Sequence, residues 1–142
     1  MSLKDSNYDE LVIVDGGSTD KTIEICQKYK CKLLKSSPSM TKQLLIGLSE
    51  IKSKYVILIE TDHIYPKNFV SNFLNLLINS KLDAGQSMLN YIPKKKTFFS
   101  LGHKIFYEVH NSRKNINYFL QGGSIWKTKE ILGIMSQMNN EG

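Results

Sequence analysis

Two short apolar runs, each stopping abruptly at a carboxylate, constrain this chain more than any other feature. Leu11-Val12-Ile13-Val14 ends at Asp15, and Tyr55-Val56-Ile57-Leu58-Ile59 ends at Glu60-Thr61-Asp62. Uncharged β-branched runs of this length read as strands buried on both faces. Gly16 and Gly17 follow the first run, then Ser18, Thr19 and Asp20. The pattern predicts a tight turn into a helix, with Ser18 or Thr19 as its N-cap. Asp15 therefore closes a strand at the edge where open α/β sheets bind ligands.

Periodicity places helices over Thr19–Tyr29, Met40–Lys52 (capped by Ser39), Pro66–Asn79, Phe98–His110 and Thr128–Met138. Lys32–Lys35, Ala84–Leu89 and Tyr118–Lys127 read as further strands, the last broken by Gly122-Gly123. In the third of these helices Phe69, Phe73, Leu76 and Leu77 are expected inside. The alternation of strand and helix predicts an α/β three-layer sandwich with a mostly parallel central sheet. The 142 residues amount to a single domain, over 1–142, long enough to enclose a core.

Composition narrows the function classes. No stretch approaches 18 apolar residues, and the N-terminus lacks an apolar signal region, which points to a cytoplasmic chain. Cys26 and Cys31 are the only cysteines, too few for a disulfide framework and without metal-ligand companions. The net charge of +6 favours polyanionic partners, such as nucleotide diphosphates or an anionic lipid surface. Of the 19 basic residues only Arg113 is an arginine, which argues against sequence-specific nucleic-acid binding.

Two constellations could carry chemistry. Asp15 can accept hydrogen bonds from a ring imide or from ribose hydroxyls, while Gly16 and Gly17 let backbone approach a ligand closely. Glu60 and Asp62, two residues apart at a strand end, can hold a hard divalent cation that bridges to diphosphate oxygens. For both, the bland alternative is a solvated acid. His63 could add an imidazole ligand, but a loop histidine is the preferred reading. Trp126 could stack on a sugar face, though a lone Trp is more often core.

VDGGSTDKT, residues 14–22, resembles the V-D-[DG]-G-S-x-D-x-T segment of the family 2 glycosyltransferases of the GT-A fold. ETDHIYP, residues 60–66, resembles that family's D-x-D motif, with Glu60 departing from the first Asp. Met40–Gly47 is similar to its A-R-Q-x-N-x-G segment, with Lys42 at the Arg and Leu45 departing from the Asn. The resemblance covers roughly Ser2 to Met138. It implies a GT-A-like, Rossmann-like sandwich that binds a nucleoside-diphosphate sugar. Asp15, Gly16, Gly17, Lys42 and Glu60 would hold the donor, and Asp62 would hold Mg²⁺ or Mn²⁺. The implied reaction is inverting transfer of a sugar to a saccharide or lipid-linked acceptor.

The same comparison implies that the family's first strand and its Asp base have no counterpart here. The expectation is a partial domain that is inactive alone. Lys94-Lys95-Lys96 beside Phe98 and Phe99 could rest on an anionic membrane at the cytoplasmic face, although a solvated basic turn is the commoner reading. Two other classes stay open: a binding module for nucleotide or anionic surfaces without turnover, and a nucleotidyltransferase of similar architecture.

Overall fold

The computed structural model describes residues 3, 6–29, 31–87, 92 and 122–140. The helix expected over Phe98–His110, the basic turn at Pro93–Thr97 and the start of the strand expected from Tyr118 lie outside them. The elements run β1 (Val12–Asp15), α1 (Thr22–Lys28), β2 (Lys32–Lys35), α2 (Met40–Ser49), β3 (Tyr55–Leu58), α3 (Phe69–Asn79), β4 (Ala84–Gln86), β5 (Ser124–Lys127) and α4 (Thr128–Asn140).

Strands and helices alternate as the sequence predicts, but the sheet is not mostly parallel. β1 and β2 form a parallel pair, with Val12 opposite Lys32 and Asp15 opposite Lys35. The other sheet has the order β3-β5-β4, and β5 runs antiparallel to both neighbours. The reason lies at Gly122-Gly123. This turn drops the chain into the space between β3 and β4, where Gly123 N–H meets Leu58 O at 2.7 Å and Ser87 N–H meets Gly123 O at 2.8 Å. Gly123 has φ +80°, and a Cβ there would collide with the Ser87 hydroxyl, so only glycine makes this turn without strain.

The core lies on this second sheet. Leu48, Trp126, Ile131 and Met135 cluster with Leu44, Leu45, Val56, Leu58 and Ala84, so α2 and α4 cover one face. Ile125 and Gly85 belong to the opposite row, and Phe73 of α3 packs there, within 3.3 Å of a Cβ built at Gly85. Alternation along the strands thus makes three layers. α2 also reaches the first sheet, because Gly47 brings its backbone against Val14.

Several boundaries differ from expectation. α1 starts at Thr22 with Lys21 at its N-cap, since Ser18 is engaged by Asp15; Asp20, one residue before the cap, accepts from the Thr22 N–H at 2.9 Å. α3 starts at Phe69, after an Asn68 in the left-handed region, rather than at Pro66. Leu77 is buried but Leu76 points to solvent at 60% exposure. No helix of the described residues is long and apolar enough to cross a membrane.

Candidate functional site

Both strands form; β1 ends in Asp15, whereas β3 ends at Leu58, two residues short of Glu60. At the end of β1, Asp15 is buried. Its Oδ2 accepts from Gly17 N–H at 3.0 Å, and its Oδ1 and Oδ2 accept from Ser18 N–H at 3.1 and 3.2 Å. Gly17 reaches this geometry with φ +103°. The Ser18 side chain, then the Ser18 and Gly17 amides and the Lys35 charge, hold the Asp15 carboxyl below its ordinary value against the opposing effect of desolvation.

The sign of the resulting pH dependence follows. A carboxylate depressed in the folded state stabilises fully above its unfolded value, about 3.9. That contribution disappears as pH falls through the folded value. Asp15→Asn is therefore expected to unfold at lower urea than the parent at neutral pH, with the gap narrowing as pH falls through the depressed folded value. Urea midpoints at several pH values check this; a gap independent of pH would remove the ionised carboxylate from the explanation.

Sequence reasoning missed Gln43. Its Nε2 donates to Val14 O at 3.1 Å and lies 2.8 Å from the position of a Cβ on Gly16. The side chain thus roofs the Asp15 turn, and Gly16 is required for that close approach. Lys42, in the first turn of α2, is exposed; its backbone N–H donates to the capping Ser39 hydroxyl at 3.4 Å.

Beyond β3, Glu60, Asp62 and His63 come together. One ligand-capable atom from each lies within 4.8 Å of the others. His63 Nε2 is 3.4 Å from Glu60 Oε2 and 3.9 Å from Asp62 Oδ1. His63 lies in the loop after β3, as the sequence suggested, and there it stands beside both acids. Asp62 is the most open of the three, with 83% of its side chain exposed. Glu60 does two things: Oε2 faces His63, while Oε1 accepts from Gly122 N–H at 2.8 Å. The glutamate's extra methylene spans from β3 to the turn that leads into β5, and a Cβ at Gly122 would sit 2.6 Å from Glu60 Cγ.

Tyr65, also missed, organises this loop from below. It is buried, its hydroxyl accepts from Glu60 N–H at 3.0 Å, and it lies 3.2 Å from His63 Nδ1. Desolvation pushes its phenol up, opposed by the Glu60 amide and assisted by the Glu60 and Asp62 charges. The neutral hydroxyl can donate to Nδ1 or accept from it. Nε2 can therefore carry a proton toward Glu60 or present a lone pair to a cation.

Two carboxylates and an imidazole form a donor set that suits Mn²⁺, whereas Mg²⁺ favours oxygen ligands and retained waters. A cation there would concentrate positive charge at the end of β3 for an anionic ligand.

Residues 2–132 match the protein family described as Glycosyl transferase family 2. No curated protein sequence matches the chain. Among solved structures, the chain is similar to S. aureus TarS 1-349 in complex with UDP. The TM-score is 0.64 at 19% identity, covering 94% of this chain and 43% of that one. It is also similar to S. aureus TarS, with TM-score 0.63 at 20% identity, covering 93% of this chain and 26% of that one. The chain thus spans less than half the length of these structures, and the likeness is one of fold.

Proposed function

The chain belongs to glycosyl transferase family 2, and from that premise we propose that it holds the diphosphate end of a sugar nucleotide beside the carboxyl ends of β1 and β3. The reaction served is inverting transfer of the sugar to a hydroxyl of a saccharide or lipid-linked acceptor. The Glu60–Asp62–His63 cluster carries this reading, because it offers a divalent cation three ligands at the tip of a strand. Asp62 is the principal ligand, Glu60 and His63 assist it, and the Asp15 turn with Gly16 and Gly17 receives the nucleoside. Lys42, exposed at the start of α2, meets phosphate as a point charge. The basic run Lys94-Lys95-Lys96 with Phe98 and Phe99 supports an acceptor at an anionic cytoplasmic membrane face.

Calorimetry with UDP, the nucleotide carried by TarS 1-349, is the direct test. Binding is expected to depend on Mn²⁺ and to weaken at least about tenfold in Asp62→Ala, a change of roughly 1.4 kcal/mol. UDP binding that ignores Mn²⁺ and that inorganic polyphosphate matches would instead support a general anion-binding surface.

A further inference from the structure

Two thiols meet where α1 turns back toward the first sheet. Cys26 lies in the last turn of α1 and is buried. Cys31 immediately precedes β2 and is half-buried. The chain reverses between them, with Tyr29 N–H donating to Cys26 O at 3.1 Å. That reversal brings Cys31 Sγ to 3.0 Å from the same carbonyl, and the two thiols also hydrogen-bond to each other. Both cysteines are free, and no group assigned above to nucleotide or metal uses either sulfur.

The surroundings tolerate a bond between the sulfurs. Oxidation removes the Cys31 S–H that meets Cys26 O, but that carbonyl keeps the Tyr29 N–H, so no buried acceptor is orphaned. The two cysteines are five residues apart. The ring they would close is short, and its loop-closure stabilisation is correspondingly small. Such a bridge is opened again by ordinary thiols instead of serving as a permanent staple.

The two sulfurs also differ in access. Cys31 keeps part of its surface open to solvent, whereas Cys26 is only 5% exposed. Burial, then the neighbouring Cys31 thiol and the Asp15 charge, push the Cys26 thiol up, which favours its protonated, unreactive form. An external reagent therefore meets Cys31 first.

We propose that Cys26 and Cys31 form a site of reversible exchange with low-molecular-weight disulfides such as oxidised glutathione. Cys31 attacks as its thiolate, having released a proton to solvent. A bond forms from Cys31 Sγ to one glutathione sulfur, the glutathione S–S bond breaks, and the departing glutathione thiolate takes up a proton. Cys26 then loses its proton to solvent and attacks Cys31 Sγ. The Cys26–Cys31 bond forms as the mixed disulfide breaks, and the second glutathione leaves and is protonated. Two protein thiols are oxidised and one glutathione disulfide is reduced to two thiols.

Tryptic digestion reads the outcome, because Lys28 and Lys30 separate the two cysteines into peptides covering residues 22–28 and 31–32. The full chain incubated with oxidised glutathione at neutral pH is expected to lose two hydrogens in mass and to yield these peptides joined. Excess reduced glutathione should part them. Cys26→Ala should stop at the mixed disulfide, with one glutathionyl group on Cys31. Cys31→Ala should react at least about tenfold more slowly than the parent. The proposal is overturned if the parent accumulates the mixed disulfide without joining its own cysteines, or if the bond links two copies of the chain. It is equally overturned if excess reduced glutathione leaves the bond intact, or if Cys31→Ala reacts as fast as the parent. The measurements on the parent need no variant, so they decide the matter even where a substitution disturbs folding.

Discussion

Trp126→Ala is expected to lower stability by about 3–5 kcal/mol and the melting temperature by roughly 10–20 °C for a chain of this size. Trp126 is buried at the centre of the main cluster with Leu48, Ile131 and Met135 around it. Its indole N–H also lies 3.2 Å from the Ser124 hydroxyl. Truncation would empty a large volume between α2, α4 and the sheet and leave Ser124 buried without that donor. Trp126→Phe keeps most of the ring contact and should recover more than half of the loss. Urea and thermal unfolding read both variants. A tryptophan that served a sugar would behave oppositely: its alanine variant would fold normally and lose only donor binding.

Gly122→Ala is expected to be nearly as damaging, at about 2–4 kcal/mol. The new methyl would meet Glu60 Cγ at 2.6 Å and Glu60 Cβ at 2.8 Å, atoms too close to the β3 backbone to swing aside. Moving them breaks the 2.8 Å bond from Gly122 N–H to the Glu60 carboxylate. Glu60→Gln separates the two duties of this residue. The amide oxygen can still accept from Gly122, so stability should change by less than about 1 kcal/mol. Lost charge should nevertheless weaken Mn²⁺ retention. A Glu60→Gln variant that unfolds like Gly122→Ala would show that the carboxylate's charge, not its reach, holds the turn.

The order of elements was legible because apolar runs, Gly pairs and helical periodicity are local signals. β1, β2, α2 and β3 lie within a few residues of where the sequence places them, and Ser39 caps α2 as its position predicts. Strand direction was not legible. Nothing within Ser124-Ile125-Trp126 tells whether it runs with or against β3, since a strand buried on both faces has the same apolar pattern either way. The candidate site was legible as far as the acids and no further. Glu60 is 62 residues from the amide that fixes it. Tyr65 acts through a hydroxyl that meets Glu60 N–H and His63 Nδ1 once the loop has folded back. Gln43 did leave a trace: it is four residues before Gly47, on the same side of α2, and Gly47 faces Val14.

The joint formed by α2 has a thermodynamic consequence. α2 packs on β1 and β2 with part of its length and on α4 with another, while among the described residues the two sheets share no ladder. β1 and β3 are mostly half-buried, whereas Ser124, Ile125 and Trp126 of β5 are fully enclosed. Among the described residues, this ten-residue helix is thus one link between the halves. Amide exchange should therefore report faster local opening in β1 and β2 than in the enclosed β5.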